Sequence, residues 1–580
     1  MKSYFLASAA FALLAGLMIG AGEASAQALE RNPAPGLRSQ PAPALVGPDL
    51  QLSGDPTPLG PNLSSIVLLG AADALIEEPA LNGVDVARAL VPNTAGLSTH
   101  LNALVGRPIS RQLLSEIEAA IADHCRRAGM PFVSVTLPPQ DVAKGVVQVR
   151  VFPFTLSDVS IKGARRDQKL IRNGVRAPIG KPIDAPELQQ DLNWLNHSPF
   201  RDVTAVFTPG QRLGDTDLQL ESAESRRWTG STGYANSGSA SSGYDRYFVA
   251  GQVGDLLVRD SLLSLEMTSS DDIWGQGYDP LNGKAPIRYL SHSLVLSVPL
   301  APRQDFTLLL DNVRTHSNAE VFDIRTETNE LSAVYRTALS NVSKLPGDLS
   351  LGVEMRRQVR NTLYGDISLL KLPTTVVEGM ASWSNSWFSN GDRQALSATF
   401  RFSPGGSGRS GVVAFAKSSL GRVDTARFSY GQIDYSGEFK APAGLKYVTQ
   451  AHGQYSEDAL LPTEQMALGG GGAVRGYAYD DQSFDTGINW RNELRLKPVS
   501  AVSRVLPVRD LIAPYGFFDA GYVKSRHVAK DETVYSTGFG LDYLLGEHVR
   551  AGATAAWALR SAGFTNSGHV KVLAHISLVY

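Results

Sequence analysis

The chain has 580 residues, with 54 Lys and Arg against 56 Asp and Glu, and a net charge of −2 gives it neither the basic excess of a nucleic-acid binder nor a strongly acidic face. Mean hydropathy of −0.09 does not fit a multi-helix membrane protein. The single cysteine, Cys125, rules out an intrachain disulfide and reads as a small buried apolar group in a helix rather than a reactive thiol.

In chain order, Lys2 and the apolar stretch Phe5–Ile19 precede Ala24-Ser25-Ala26, the pattern of a cleaved secretory signal over residues 1–26, with Ala28 a nearby alternative cleavage point. No later run of 18 apolar residues exists, so no membrane-spanning helix is expected. Residues 27–61 are rich in Pro, Gly and Ala and read as an extended linker. Two small α+β modules follow, over 62–152 and 153–225. In the first, a strand over 66–69 leads to a helix capped by Ser110, whose apolar positions Leu113, Leu114, Ile117, Ala120 and Ile121 follow the 3.6 period. Strands at 132–137 and 146–152 flank a turn-rich connection containing Pro138, Pro139, Gln140 and Gly145, and 83–104 is expected to add a further helix. The second module repeats the order: a strand at 156–162, a helix opened by Asp184-Ala-Pro-Glu187, and strands at 203–208 and 216–221. Residues 166–175 are a candidate for its extra helix.

From 226 to 580 helical periodicity disappears. Strand-length segments alternate instead: in Gly487–Lys497, Ile488, Trp490, Leu494 and Leu496 oppose Asn489, Arg491, Glu493, Arg495 and Lys497. Sixteen such segments are expected, beginning near 228, 244, 261, 289, 305, 329, 348, 374, 394, 427, 445, 485, 511, 533, 549 and 569. An even number of strands, apolar outside and polar inside, describes a transmembrane β-barrel of the bacterial outer membrane, with a soluble β-sandwich or propeller as the alternative. The expected class is therefore mainly β: a 16-stranded transmembrane barrel behind two α+β modules. Trp228, Trp274 and Tyr580 suit an interfacial aromatic belt.

Four glycines open the stretch Leu468–Asp481, which carries Val474, Arg475, Gly476 and Tyr477. It falls in a loop of about thirty residues between two strong strands, on the extracellular side if both barrel termini face the periplasm. Glycines let such a loop turn sharply and lie against the barrel wall. An arginine inside a barrel then needs a carboxylate. Asp519 lies in "YGFFDAGYV", where it shares a face with Phe517 and Gly521, opposite Phe518, Ala520 and Tyr522. Spacing leaves two readings open: an Arg475–Asp519 pair holding the loop inside, or an exposed loop arginine with no special partner.

"EQMALGGGGAVRGY" resembles the sixth-loop signature of the Omp85 superfamily, and Phe517, Asp519 and Gly521 resemble its Phe-x-Asp-x-Gly strand motif. The two modules resemble POTRA domains, and the Pro-Pro-Gln connection with Gly145 is similar to the TpsB branch, the outer-membrane transporters of two-partner secretion that include the hemolysin secretion/activation proteins. The resemblance covers about residues 62–580. It implies the Arg475–Asp519 pair, POTRA domains in the periplasm, and export of a large TpsA-like exoprotein, an adhesin or hemolysin, with possible activation of that client. It also implies contact with outer-membrane lipid and with the barrel assembly machinery during biogenesis. Residues 27–61 depart from the family in lacking a convincing amphipathic helix that would plug the barrel. An Omp85-type membrane-protein insertase is the second reading and a passive porin the third. Gly-x-Ser-x-Gly, His-Glu-x-x-His, a P-loop and Cys clusters are all missing, so no enzyme, cofactor, metal or nucleic-acid partner is expected. The acid pairs at 271–272 and 480–481 read as solvated loop acids before calcium ligands.

Overall fold

The computed structural model describes residues 54–580 apart from 78–81, 90, 129, 131, 164, 213, 224–225, 275–286, 320, 366, 390, 406–407, 420, 424, 479–482, 502–507 and 527–530. The expected signal segment, the linker up to residue 53, the question of a plug helix within it, and Asp480–Asp481 lie outside the described residues. The chain divides into two compact units, one ending at Ser225 and one beginning at Arg226.

In the first unit, one sheet runs Gly83–Asp85, Ser65–Leu69, Val146–Pro153, Val133–Thr136 in spatial order. The helix Arg111–Arg127 starts where the Ser110 hydroxyl accepts the Leu113 amide, and it buries Leu113, Ile117, Ile121 and Cys125 against that sheet. The second module places Asp215–Ser222 between Thr155–Gly163 and Val203–Pro209, under the helices Gln168–Gly174 and Ala185–Leu195. Asp184 caps the latter by accepting the Glu187 amide. Two sequence expectations change. Pro58–Asn62, assigned to the linker, is a strand paired with Pro108–Ser110. The helix expected over 83–104 is confined to Thr94–Asn102: Gly83–Asp85 joins the sheet edge, and Pro92 with Asn93, which caps from a left-handed φ of 46°, delays the start.

The second unit is a closed barrel of sixteen antiparallel strands, in which each strand pairs with its sequence neighbours and the first, Trp228–Ala235, closes against the last, Val570–Val579. Sixteen strands of alternating direction leave both ends of the barrel on one face, and with that face periplasmic the odd-to-even connections face outward. Strands start within two residues of expectation except the sixth, Phe322–Ala338, and the eighth, Ile367–Ser389, which each begin seven residues early. The register explains the extension. On the outward face, the row Leu310, Leu331, Met355, Val377 is apolar, and the next row, Asn312, Asn329, Arg357, Thr375, is polar. Above that row come Arg314, Glu327, Val359 and Pro373. The hydrocarbon band ends between the first two rows, and strands five to eight continue beyond it as an extracellular sheet. There the outward residues Asp323, Arg325 and Glu327 of strand six are charged and Ile367–Pro373 of strand eight does not alternate, so the lipid-facing pattern no longer marks a strand.

Candidate functional site in the barrel lumen

The connection between strand eleven, Lys446–Ser456, and strand twelve, Thr486–Arg495, folds into the barrel. Its two limbs pair as short strands, Met466 opposite Phe484 and Ala467 opposite Ser483. Met466, Leu468, Val474, Tyr477 and Phe484 then bury themselves with Val523, Val534, Ala558 and Ala562 of the wall and its outer connection.

The sequence-predicted residues converge there. Arg475 is 2% exposed and Asp519 of strand thirteen, Asp510–Lys524, is 0% exposed. The Arg475 Nε donates to Oδ2 and its Nη2 to Oδ1, each at 2.7 Å, and its backbone amide donates to Oδ2 at 3.2 Å. This is the fork-on-fork geometry that guanidinium and carboxylate favour. Phe517 lies under the guanidinium, with Cζ 3.8 Å from the ring centroid. Gly521 leaves the room the loop occupies: a Cβ there would sit 2.9 Å from Val474 Cγ2 and 3.2 Å from Leu468 Cδ1. Gly476 adopts a φ of 97°, which reverses the chain so that the Tyr477 hydroxyl donates toward the carbonyls of Tyr535, at 2.9 Å, and Arg560, at 2.7 Å. Each position of Val474-Arg475-Gly476-Tyr477 thus has its own contact with the wall.

Several participants were not singled out from sequence. Arg475 Nη1 donates to Glu493 Oε1 at 2.6 Å, and Glu493 also accepts from Arg495, which reaches Asp542 at 2.9 Å. Glu493 and Arg495 sit on the polar face that alternation assigned to the lumen, but only strand register puts Arg491 directly across from Asp519. A second anchor holds the loop's leading limb to the opposite wall. Glu464 takes an ion pair from Arg356 of strand seven, Asp348–Tyr364, and accepts the Tyr430 hydroxyl at 3.0 Å. Arg356 also pairs with Glu330 at 3.0 Å and with Glu354, while Arg401 bridges Glu354 at 3.0 Å and Glu378 at 2.5 Å. Farther out, Asp485 is fully buried and accepts from Leu460 N, Gln465 Nε2, Arg422 Nη1 and Arg526 N, at 2.6–3.0 Å. It thereby ties together the outer connections after strands nine, eleven and thirteen. No sequence spacing signals these pairs, whose members lie up to 108 residues apart.

The Pro138, Pro139, Gln140 and Gly145 group belongs to the first unit. There the Gln140 side chain acts as a strand substitute, accepting the Gln148 amide at 2.7 Å and donating to its carbonyl at 2.7 Å. Gly145, at φ 74°, brings its carbonyl to the Ser64 amide at 2.7 Å, and Pro138 O takes a further bond from Gln140 at 3.2 Å. Pro139 lies in the same connection. The motif braces the module's sheet. The acid pair Asp271–Asp272 is engaged by Arg288 and Ser270.

Residues 214–543 match the family model of the haemolysin secretion/activation protein ShlB/FhaC/HecB, and residues 80–153 match the ShlB-type POTRA domain. The chain is 24% identical to an outer membrane transporter CdiB of Escherichia coli over 482 residues, which span 80% of this chain and 73% of that one. It is 23% identical to CdiB of Dickeya dadantii over 409 residues, 69% and 68% of the two chains. It is 20% identical to the heme/hemopexin transporter HuxB of Haemophilus influenzae over 470 residues, 78% of each. The solved structure of CdiB from Escherichia coli superposes with a TM-score of 0.60 at 18% identity, covering 93% of this chain and 94% of that one. That from Acinetobacter baumannii gives 0.53 at 15%, covering 98% and 96%. These likenesses agree in fold with the barrel and modules described above.

Proposed function

The chain belongs to the haemolysin secretion/activation protein family ShlB/FhaC/HecB, and from that premise we propose that it exports a large TpsA-like exoprotein by two-partner secretion. It is an outer-membrane transporter with periplasmic POTRA domains. In the proposed cycle, the POTRA domains take up the unfolded client as an added strand on a sheet edge or in a helix–sheet groove. The client then passes through the barrel as the luminal loop is displaced or rearranged. Folding outside the cell makes passage one-way without ATP.

One observation carries this reading. The loop crosses the lumen and is anchored on two walls, by Arg475 to Asp519 and Glu493, and by Glu464 to Arg356. A passive solute pore needs no such obstruction. Buried ion pairs of this kind are replaceable by apolar packing at little cost in stability, so their use here suits a contact made to open.

The test compares extracellular and outer-membrane proteomes of cells with and without this chain. Loss of one or a few large secreted proteins, with other barrels unchanged, supports the reading. Broad depletion of other barrels would assign the chain to membrane-protein insertion instead.

A further inference from the structure

Above the hydrocarbon band, strand eight runs from Ile367 and pairs with strand seven through Tyr364–Ile367, Leu363–Ser368 and Thr362–Leu370 onward. Its pairing with strand nine, Asp392–Pro404, begins only at Gly379 opposite Phe402. Lower down, Val376 packs with Phe415 of the outer helix Gly408–Ser418. Over Ile367–Leu372, no described residue hydrogen-bonds to the flank away from strand seven. The other flank of this extracellular sheet is covered almost to its tip, since Tyr289 pairs with Thr315 and the His316 amide donates to Arg288 O at 2.9 Å. The free edge is apolar as well as unpaired: Ile367 is 67%, Leu369 56% and Leu370 38% exposed. Exposed edges are usually blunted by lysine or proline. Here Lys371 and Pro373 stand at the inner end of the edge, and the outer residues Ile367–Leu370 carry neither, their one irregularity being a bulge at Leu369, between the pairs Leu363–Ser368 and Thr362–Leu370.

We infer that Ile367–Leu372 is a docking edge on which an extended segment of the emerging exoprotein adds as a strand, and that it starts the client's folding outside the cell. This rests on the export function proposed above. The edge is about 20 Å long, enough for a six-residue strand. It faces the side where an unfolded chain emerges, and such a chain supplies the free backbone donors and acceptors that an edge needs. A second copy of this protein is a poor occupant. Two copies in one membrane are related by an axis along its normal, so like backbone groups meet at equal height, donor against donor.

Pro373 gives the means of testing. Within a strand, proline is tolerated where its nitrogen faces away from the ladder. Lys371, two residues earlier, presents its amide on that same free flank. Lys371→Pro therefore blunts the edge without removing a bond to strand seven. With the exoprotein identified by the proteome comparison as the probe, Lys371→Pro is expected to export it in normal amount, with a several-fold larger protease-sensitive fraction shortly after release. Lys371→Ala is expected to behave as the unaltered protein, because the readout is by backbone. A photo-crosslinking residue at Leu369 in the full-length protein should trap the exoprotein during export. Unchanged protease resistance with Lys371→Pro would overturn the inference, as would adducts at 369 with a second copy of this chain or with nothing. Absence of any exoprotein lost on deletion would instead strike the export reading itself.

Discussion

Arg475 of the luminal loop and Asp519 of strand thirteen meet through two parallel hydrogen bonds of 2.7 Å, with Phe517 stacked beneath the guanidinium. The pair spans 44 residues of sequence and fastens a loop to a wall at a place closed to water. Removing the cation leaves two buried carboxylates, Asp519 and Glu493, short of their partner.

For Arg475→Ala the expected local penalty is about 3–5 kcal/mol, the cost of stranding a buried charge. The barrel wall itself keeps its strand pairing, so the variant is expected to assemble and migrate as a folded barrel. Export should fall sharply, and the loop should become a protease target. Arg475→Lys should rescue export only in part, since an ammonium cannot make both parallel bonds or stack flat on Phe517. Export assays beside limited proteolysis of intact cells check this; full export by a normally abundant Arg475→Ala protein would refute it.

The opposite wall has its own test. Arg356→Met leaves Glu330, Glu354 and Glu464 without the guanidinium they share. The leading limb of the loop is expected to loosen while the Arg475 end stays attached. Resting conductance of the purified protein in planar bilayers should rise. A conductance unchanged from the unaltered protein would mean that the Glu464 anchor does not hold the loop.

Much of this site was legible in sequence. Asp519 and the shared face of Phe517 and Gly521 follow from strand alternation and the cost of charge against lipid, whereas spacing left two readings for Arg475 and the resemblance implied its pairing with Asp519. Glu493 was visible as a lumen-facing residue but not as a partner, because pairing depends on strand register and alternation fixes only the face. Glu464, Arg356 and Asp485 were not legible: their partners come together only once the barrel closes. The early starts of strands six and eight were hidden because beyond the membrane the outward residues Asp323, Arg325 and Glu327 are charged and Ile367–Pro373 does not alternate.

Gly521→Ala places a methyl group 2.9 Å from Val474 Cγ2 and 3.1 Å from Asn489 Oδ1. The expected cost is about 1–3 kcal/mol, because the loop must shift away from the wall. Gly516→Ala is the control, since the nearest atom to its added Cβ is 3.9 Å away. Proteolysis of the luminal loop should separate the two variants, with equal susceptibility counting against close packing at Gly521.

In the first POTRA domain, Gln140→Ala removes both bonds to the Gln148 backbone, at an expected cost of about 1–3 kcal/mol. Cys125 reports the result, because burial pushes its thiol from an ordinary 9.0 up to about 11. The folded thiol therefore holds its proton through a range where the unfolded thiol loses it. Between these two pKa values the unfolded state binds fewer protons, so this contribution to stability, fully present below pH 9, declines as pH rises toward 11. Thiol labelling of the full chain should be slow at pH 8 and accelerate with Gln140→Ala. Equal labelling rates in the two proteins would remove Gln140 as a brace.

The most direct test of export through this barrel is reconstitution. The purified full-length protein is placed in liposomes, and the exoprotein found by proteome comparison is added unfolded on the POTRA side. Transfer to a protease-protected interior is expected with the unaltered protein and not with folded Arg475→Ala or empty liposomes. No protected exoprotein in vesicles bearing the folded, unaltered barrel, or equal protection with Arg475→Ala, would contradict it.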